Sequence, residues 1–142
     1  MPRPTVIVDT GPIVALLDAD ERHHGWARMQ FESLNAPLLT CESVLSEACF
    51  LLRRVGADAT MPVSLVRRGA LRVVDAVGSE ERADAVASLM RRYANVPMSL
   101  ADACLVDILE RTENGSIMTL DSDFRIYRQA RRRVIPLLCP GF

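Results

Sequence analysis

The chain has no lysine: all 17 of its basic residues are arginines. That absence excludes a phosphate-binding P-loop, a Schiff-base enzyme and any site using lysine as general base. Cysteine pairs are missing too. Cys41, Cys49, Cys104 and Cys139 form no CxxC spacing and each stands beside apolar residues, so buried thiols in a reducing compartment are expected. No apolar stretch approaches membrane-spanning length, and MPRPTVIVDTG carries no signal-peptide apolar region. The cytoplasm is therefore the expected location, with no membrane partner. The formal net charge is −1, so no global basic field draws in nucleic acid, and any such binding must use local patches. No repeat, low-complexity tract or linker interrupts the 142 residues, which are expected to form a single domain, 1–142, with a proper core.

What is present is an alternation of short apolar runs and amphipathic stretches. TVIV (5–8), PLLT (37–40), LRVVD (71–75), SIMTL (116–120) and RVIPL (133–137) are strand-like. Between them helices are expected from Pro12 to about Asp18, His24 to Leu34, Ser43 to the mid-fifties, Met61 to Arg68, Ser79 to about Tyr93 and Ser99 to Glu110. Ser43 is expected to cap the third of these, with Val44, Leu45, Ala48, Leu51 and Leu52 on its buried face, and Gly56 ends it. DFRIYRQA (123–130) is expected to be a short helix. Short strands alternating with helices predict an α/β fold with a parallel sheet covered on both faces. Ligands in such sheets bind beyond the carboxyl ends of the strands, near the switch in strand order.

Four acids fall at such places. Asp9 and Asp121 directly follow strands, while Glu47 and Asp102 lie in apolar helices. Each has a bland reading. Asp9 can bond to turn amides, Asp102 completes a capping box with Ser99, and Asp121 can cap the helix after it. Glu47, between Leu45 and Ala48, is hardest to dismiss, because a solvent-facing slot is expected to be scarce there. Together, carboxylates at one sheet edge repel one another unless a hard divalent cation sits among them. Mg²⁺ or Mn²⁺ suits such oxygens, acidifies bound water and neutralises phosphate charge. Asp18, Asp20 and Glu42 are expected to be solvated, and His23 and His24 to serve packing or surface roles. Asp107 lies roughly 140° around the helix from Asp102, at ~3.6 residues per turn, and is not expected to share the site.

The segments VDTGPIVALLD, SVLSEACFLL, MSLADACLVDIL and MTLDSDF, in that order over about residues 5–138, resemble the PIN-domain ribonucleases, a family that includes VapC-type toxins of toxin–antitoxin pairs. The resemblance implies a three-layer α/β/α sandwich with a short, mainly parallel central sheet, and Mg²⁺- or Mn²⁺-dependent cleavage of RNA. By position Asp9, Glu47, Asp102 and Asp121 match the family's catalytic and metal-holding acids, and Asp123 a further, less regular metal position. Thr10 and Thr119 match supporting hydroxyls. The resemblance also implies a homodimer and a small antitoxin partner. The apolar surplus on the 43–69 helices agrees with such an interface. Arg125 and Arg128, with Arg131, Arg132 and Arg133, form the densest basic cluster; a solvated face is the default and phosphate contact the functional alternative. Tyr127 adds one candidate stacking ring.

Three other functions compete. DTG after a strand resembles an aspartic protease loop, but LSEACFLLRR and LADACLVDILER are helical where that fold is β-rich. A haloacid-type phosphatase wants D-x-D where Gly11 stands, and a receiver domain wants a lysine. A catalytically silent PIN-like module binding RNA or a partner is the more serious alternative, and the full acidic set argues against it.

Overall fold

A computed structural model describes residues 4–141. Its elements in chain order are β1 (Thr5–Val8), α1 (Thr10–Leu17), α2 (His24–Ser33), β2 (Leu38–Thr40), α3 (Glu42–Arg54), α4 (Met61–Arg67), β3 (Leu71–Val73), α5 (Glu80–Arg92), α6 (Leu100–Glu110), β4 (Gly115–Met118), a 3-10 turn (Ser122–Arg125), β5 (Arg128–Gln129), β6 (Arg133–Val134) and β7 (Leu137–Leu138). The main sheet has the order β3-β2-β1-β4-β7, and every neighbouring pair in it is parallel. Helices flank it, as the alternation of runs and amphipathic stretches predicts.

The core follows from residue type. Ile7, Val8, Ile117 and Met118 are fully buried on the two central strands, whose near-continuous apolar runs suit a sheet covered on both faces. Every residue of α6 from Ala101 to Leu109 is buried, so this helix is enclosed all round rather than amphipathic. On α3, by contrast, Val44, Ala48 and Leu52 recur every four residues and form a single buried stripe.

The chain leaves β1 toward β2 on one side, while β4 pairs on its other side. The strand order therefore reverses between β1 and β4, where an open α/β sheet leaves a crevice at its carboxyl edge.

Three expectations fail in detail. Residues 123–130 are not a helix. Phe124 and Tyr127 are buried three residues apart, a spacing that a 3-10 turn satisfies as well as an α-helix does. The Arg128 amide donates to the Tyr93 hydroxyl, and Ala130 and Arg131 take φ of 49° and 69°, which ends any helix and reverses the chain. β5 then pairs antiparallel with β6. The expected strand 133–137 is split as a result: Arg133–Val134 belongs to this hairpin, and Leu137–Leu138 to the main sheet beside β4. Pro136, which has no N–H to donate, lies between the two, and its carbonyl accepts from the Ile117 amide. Lastly, Cys41 rather than Ser43 occupies the cap of α3, with extended backbone and no side-chain capping bond.

Candidate active site

Sheet register brings the first groups together. Val8 pairs with Met118, so the next residue on each strand, Asp9 and Thr119, emerge side by side at the carboxyl edge. The Thr119 hydroxyl donates to Asp9 Oδ2 at 2.7 Å and accepts from the Asp121 amide at 2.9 Å. One hydroxyl thus ties the acid after β1 to the acid after β4. Asp9 Oδ1 accepts from the Thr10 amide at 2.7 Å, making Asp9 the cap of α1. A Cβ at Gly11 would lie 3.1 Å from Leu120 Cβ, so glycine lets α1 start beside the β4 exit without displacing Leu120.

The remaining acids arrive on helices. Ser99 caps α6 by accepting from the Asp102 amide at 3.1 Å, which places Asp102 in the first turn. Its Oδ2 accepts from the Tyr127 hydroxyl at 2.8 Å. Glu47 lies mid-way along α3, where the Thr10 hydroxyl donates to its Oε2 at 3.1 Å. It is exposed toward solvent, although such a slot was expected to be scarce on α3: the buried stripe of Val44, Ala48 and Leu52 covers one side only, leaving Ser46 and Glu47 outside it. Asp121 accepts from the Asp123 amide at 2.9 Å and caps the 3-10 turn.

The bland capping readings and the gathered acids are therefore one arrangement. Asp9, Glu47, Asp102, Asp121 and Asp123 all line one open cleft of about 590 Å³, with Thr10, Ser99 and Ser122 among the other lining residues. Among the described residues no arginine or histidine lines it. Burial pushes the Asp9 carboxyl up from 3.8 to about 7; Thr119 and Thr10 hold it down, while Asp102 and Asp121 push it further up. Asp102 is raised in the same way, by burial first and against the Tyr127 bond, with Asp121 adding repulsion. The Tyr127 phenol is itself pushed up by burial and by Asp102, so it remains a donor.

These lining groups are oxygens only, the donor chemistry of a hard divalent cation such as Mg²⁺ or Mn²⁺. The carboxylates do not form a ready cage: among the described residues no three His, Cys, Asp or Glu side chains stand close enough to hold an ion. Asp9, Glu47, Asp102 and Asp121 each instead accept from a neutral donor. The donor set fits the cation, and the spacing would have to tighten around it.

Other candidates lie elsewhere. Asp107 is buried but does not line the cleft; it pairs with Arg111 at 3.2 Å. His24 Nδ1 is 2.7 Å from the Ala15 carbonyl, a packing contact. Neither Arg125 nor Arg128 lines the cleft, and Arg128 Nη1 donates to the carbonyls of Arg125, Ile126 and Tyr127. Tyr127 is fully buried, so it is no stacking ring for a base; its edge-on contacts with Tyr93 and Phe124 lock it in place. Its hold on Asp102 is the site feature that residue order alone concealed. The one available signal was the apolar spacing of Phe124 and Tyr127, which turns the phenol inward.

Among solved structures, VapC20 of Mycobacterium tuberculosis, described as a sarcin-ricin loop cleaving toxin, is similar with a TM-score of 0.75 at 24% identity, covering 91% of this chain and 99% of its own. At that identity the likeness is one of fold. No curated protein sequence matches the chain. The PIN domain family model matches residues 6–129, a span that includes all five cleft carboxylates and Tyr127. The chain belongs to the PIN-domain family.

Proposed function

We propose that the chain, as one nuclease domain over residues 1–142, is a metal-dependent ribonuclease that hydrolyses RNA phosphodiester bonds in the acidic cleft. The observation that carries this reading is the lining of the cleft: five carboxylates and, among the described residues, no basic side chain, at the strand-order switch of a PIN-family sheet. The likeness to a toxin that cleaves the sarcin-ricin loop supports RNA as substrate and a toxin of a toxin–antitoxin pair as the biological role.

Asp9, Glu47, Asp102 and Asp121, with Asp123, would hold Mg²⁺ or Mn²⁺. When bound, the ion supplies neutralising charge for the phosphate and lowers the pKa of a water nucleophile. The chain's own contribution is aim. Thr119 and the Thr10 amide fix both oxygens of Asp9, Tyr127 fixes one oxygen of Asp102, and the Thr10 hydroxyl draws Glu47 toward the start of α1. The second oxygen of Glu47 takes no hydrogen bond among the described residues and remains for the cation, while Ser99 as well as Tyr127 reaches the Asp102 carboxylate. Arg125 and Arg128, in the basic segment after Asp123, are the proposed phosphate contacts beyond the cleft. A homodimer and a small antitoxin are the proposed protein partners. Exposed Phe50, Val55 and Val63 at α3–α4 support an interface on that face.

The spacing of the acids favours a second reading, a silent PIN-like module that binds RNA or a partner without cutting. The two separate cleanly. Purified protein incubated with a sarcin-ricin loop oligonucleotide should cleave it with Mn²⁺ and stop when EDTA is added. RNA binding with no cleavage at any divalent-ion concentration would select the silent module, and cleavage that survives thorough chelation would overturn the metal-dependent mechanism.

A further inference from the structure

A cavity of about 410 Å³ lies between α5 and the turn that joins β5 to β6. Arg92 and Arg131 line it from those two elements, with Ser88 of α5 and Glu110 at the end of α6. Elsewhere arginines meet acids directly: Arg28 with Glu32, Arg82 with Asp75 and Arg111 with Asp107. Here they do not. Glu110 Oε1 accepts from the Ala130 amide at 3.1 Å, and among the described residues neither Arg92 nor Arg131 has a hydrogen-bond or ion-pair partner. Two guanidinium groups thus share one cavity with a single carboxylate, which is engaged by the backbone.

The turn is also held at a cost. Ala130 and Arg131 stand in succession at φ of 49° and 69°, the left-handed region that glycine and asparagine occupy most readily. The Glu110 bond fixes this strained turn against α6, and with it the backbone that carries Arg131. The same segment is tied to the acidic cleft. Tyr93, next to Arg92, accepts from the Arg128 amide at 3.0 Å and packs edge-on against Tyr127, whose hydroxyl reaches Asp102. Arg131 stands three residues beyond Arg128, at most about 10 Å of extended chain.

We propose that Arg92 and Arg131, with the Ser88 hydroxyl, hold a backbone phosphate of the RNA strand beyond the one in the acidic cleft. This anchoring subsite rests on the ribonuclease function proposed above. The two sites divide the work by charge. The carboxylates need a cation before they accept a phosphate, whereas the arginines accept one directly and in a forked geometry. Holding the strand at a second point sets where it crosses the cleft.

Because the subsite needs no metal, the test is fluorescence anisotropy of a labelled sarcin-ricin loop oligonucleotide in EDTA, across a NaCl series. The double variant Arg92→Gln, Arg131→Gln should bind about tenfold more weakly, the scale of one charge-assisted contact. Its plot of log affinity against log salt should be shallower by roughly 0.7–0.9, one phosphate's share. Arg67→Gln, Arg68→Gln removes the same charge just before β3, at the opposite edge of the sheet, and should bind as wild type. Arg131→Gly relieves the turn, so its melting temperature should hold or rise while RNA affinity falls. Wild-type affinity in the Arg92/Arg131 variant, equal weakening by the two pairs, or a lower melting temperature in Arg131→Gly would overturn the subsite. Wild type that fails to bind in EDTA would overturn it too. Cleavage of the same oligonucleotide with Mn²⁺ is scored separately: its persistence beside any of those results leaves the ribonuclease reading standing, and its absence from wild type counts against that reading alone.

Discussion

Asp107 and Asp102 stand on the same buried helix, α6, with surroundings of opposite kind. Asp107 meets Arg111 one turn further on, with Nε and Nη2 both 3.2 Å from its Oδ2. Asp102 meets a phenol and the acids of the cleft. The first charge is matched within the chain, and its neighbourhood is complete. Among the described residues the second is matched by nothing basic in the cleft, and Asp9 shares its condition. Leaving a buried carboxylate without a cation costs stability, so such groups mark a place where a charge from outside belongs.

The largest effect that would sharpen this contrast is on stability against pH. The fold raises the Asp9 carboxyl from 3.8 to about 7, so the folded state favours its protonated form. Its contribution to stability is fully present below about pH 4 and is lost as pH rises through about 7. That interval corresponds to up to roughly 4 kcal/mol. Urea denaturation in EDTA at pH 5 and pH 8 should show wild type losing stability relative to Asp9→Asn, whose carboxamide oxygen keeps the Thr10 bond and whose nitrogen would donate to the Thr119 hydroxyl instead of accepting from it. Parallel profiles for the two proteins would break the idea that the fold holds Asp9 uncompensated.

The next effect is on cleavage. Asp102→Asn should lower the rate of RNA cleavage about 10²-fold or more, equivalent to roughly 2.7 kcal/mol of transition-state stabilisation. Asp107→Asn should cut at the wild-type rate. A dead Asp107→Asn beside an active Asp102→Asn would reverse the roles of the two acids. The smallest effect tests the matched pair: Arg111→Ala strands the Asp107 carboxylate and should cost about 2 kcal/mol, less than a fully enclosed pair because the arginine is partly solvated. Thermal unfolding measures it, and an unchanged melting temperature would mean that solvent alone satisfies Asp107.

Much of this frame was legible in residue order. TVIV followed by DTGP sets a strand, an acid at its carboxyl end and a helix start with little ambiguity, because β-branched residues, the cap and proline each act locally. The parallel sheet followed from alternation. The segment after Asp121 was not legible, because Phe124 and Tyr127 carry an apolar spacing common to several backbone shapes, and what decides among them is long-range: the Tyr93 hydroxyl takes the Arg128 amide, and the Ala130–Arg131 reversal pairs β5 with β6. The cap of α3 was misread for a similar reason. Ser43 is the better capping side chain, but the extended backbone leaving β2 fixes the boundary at Cys41. Glu47's exposure depends on which neighbours cover α3, which no local pattern states.

Tyr127 makes the cleft an instrument with an adjustment screw outside its field of view. The phenol that sets the Asp102 oxygen comes from 25 residues downstream and is clamped edge-on by Tyr93 and Phe124, neither of which lines the cleft. Drift at either ring would leave every acidic motif intact while turning one carboxylate off target. Two relatives with identical acids can therefore differ in potency through residues that a comparison of motifs never inspects.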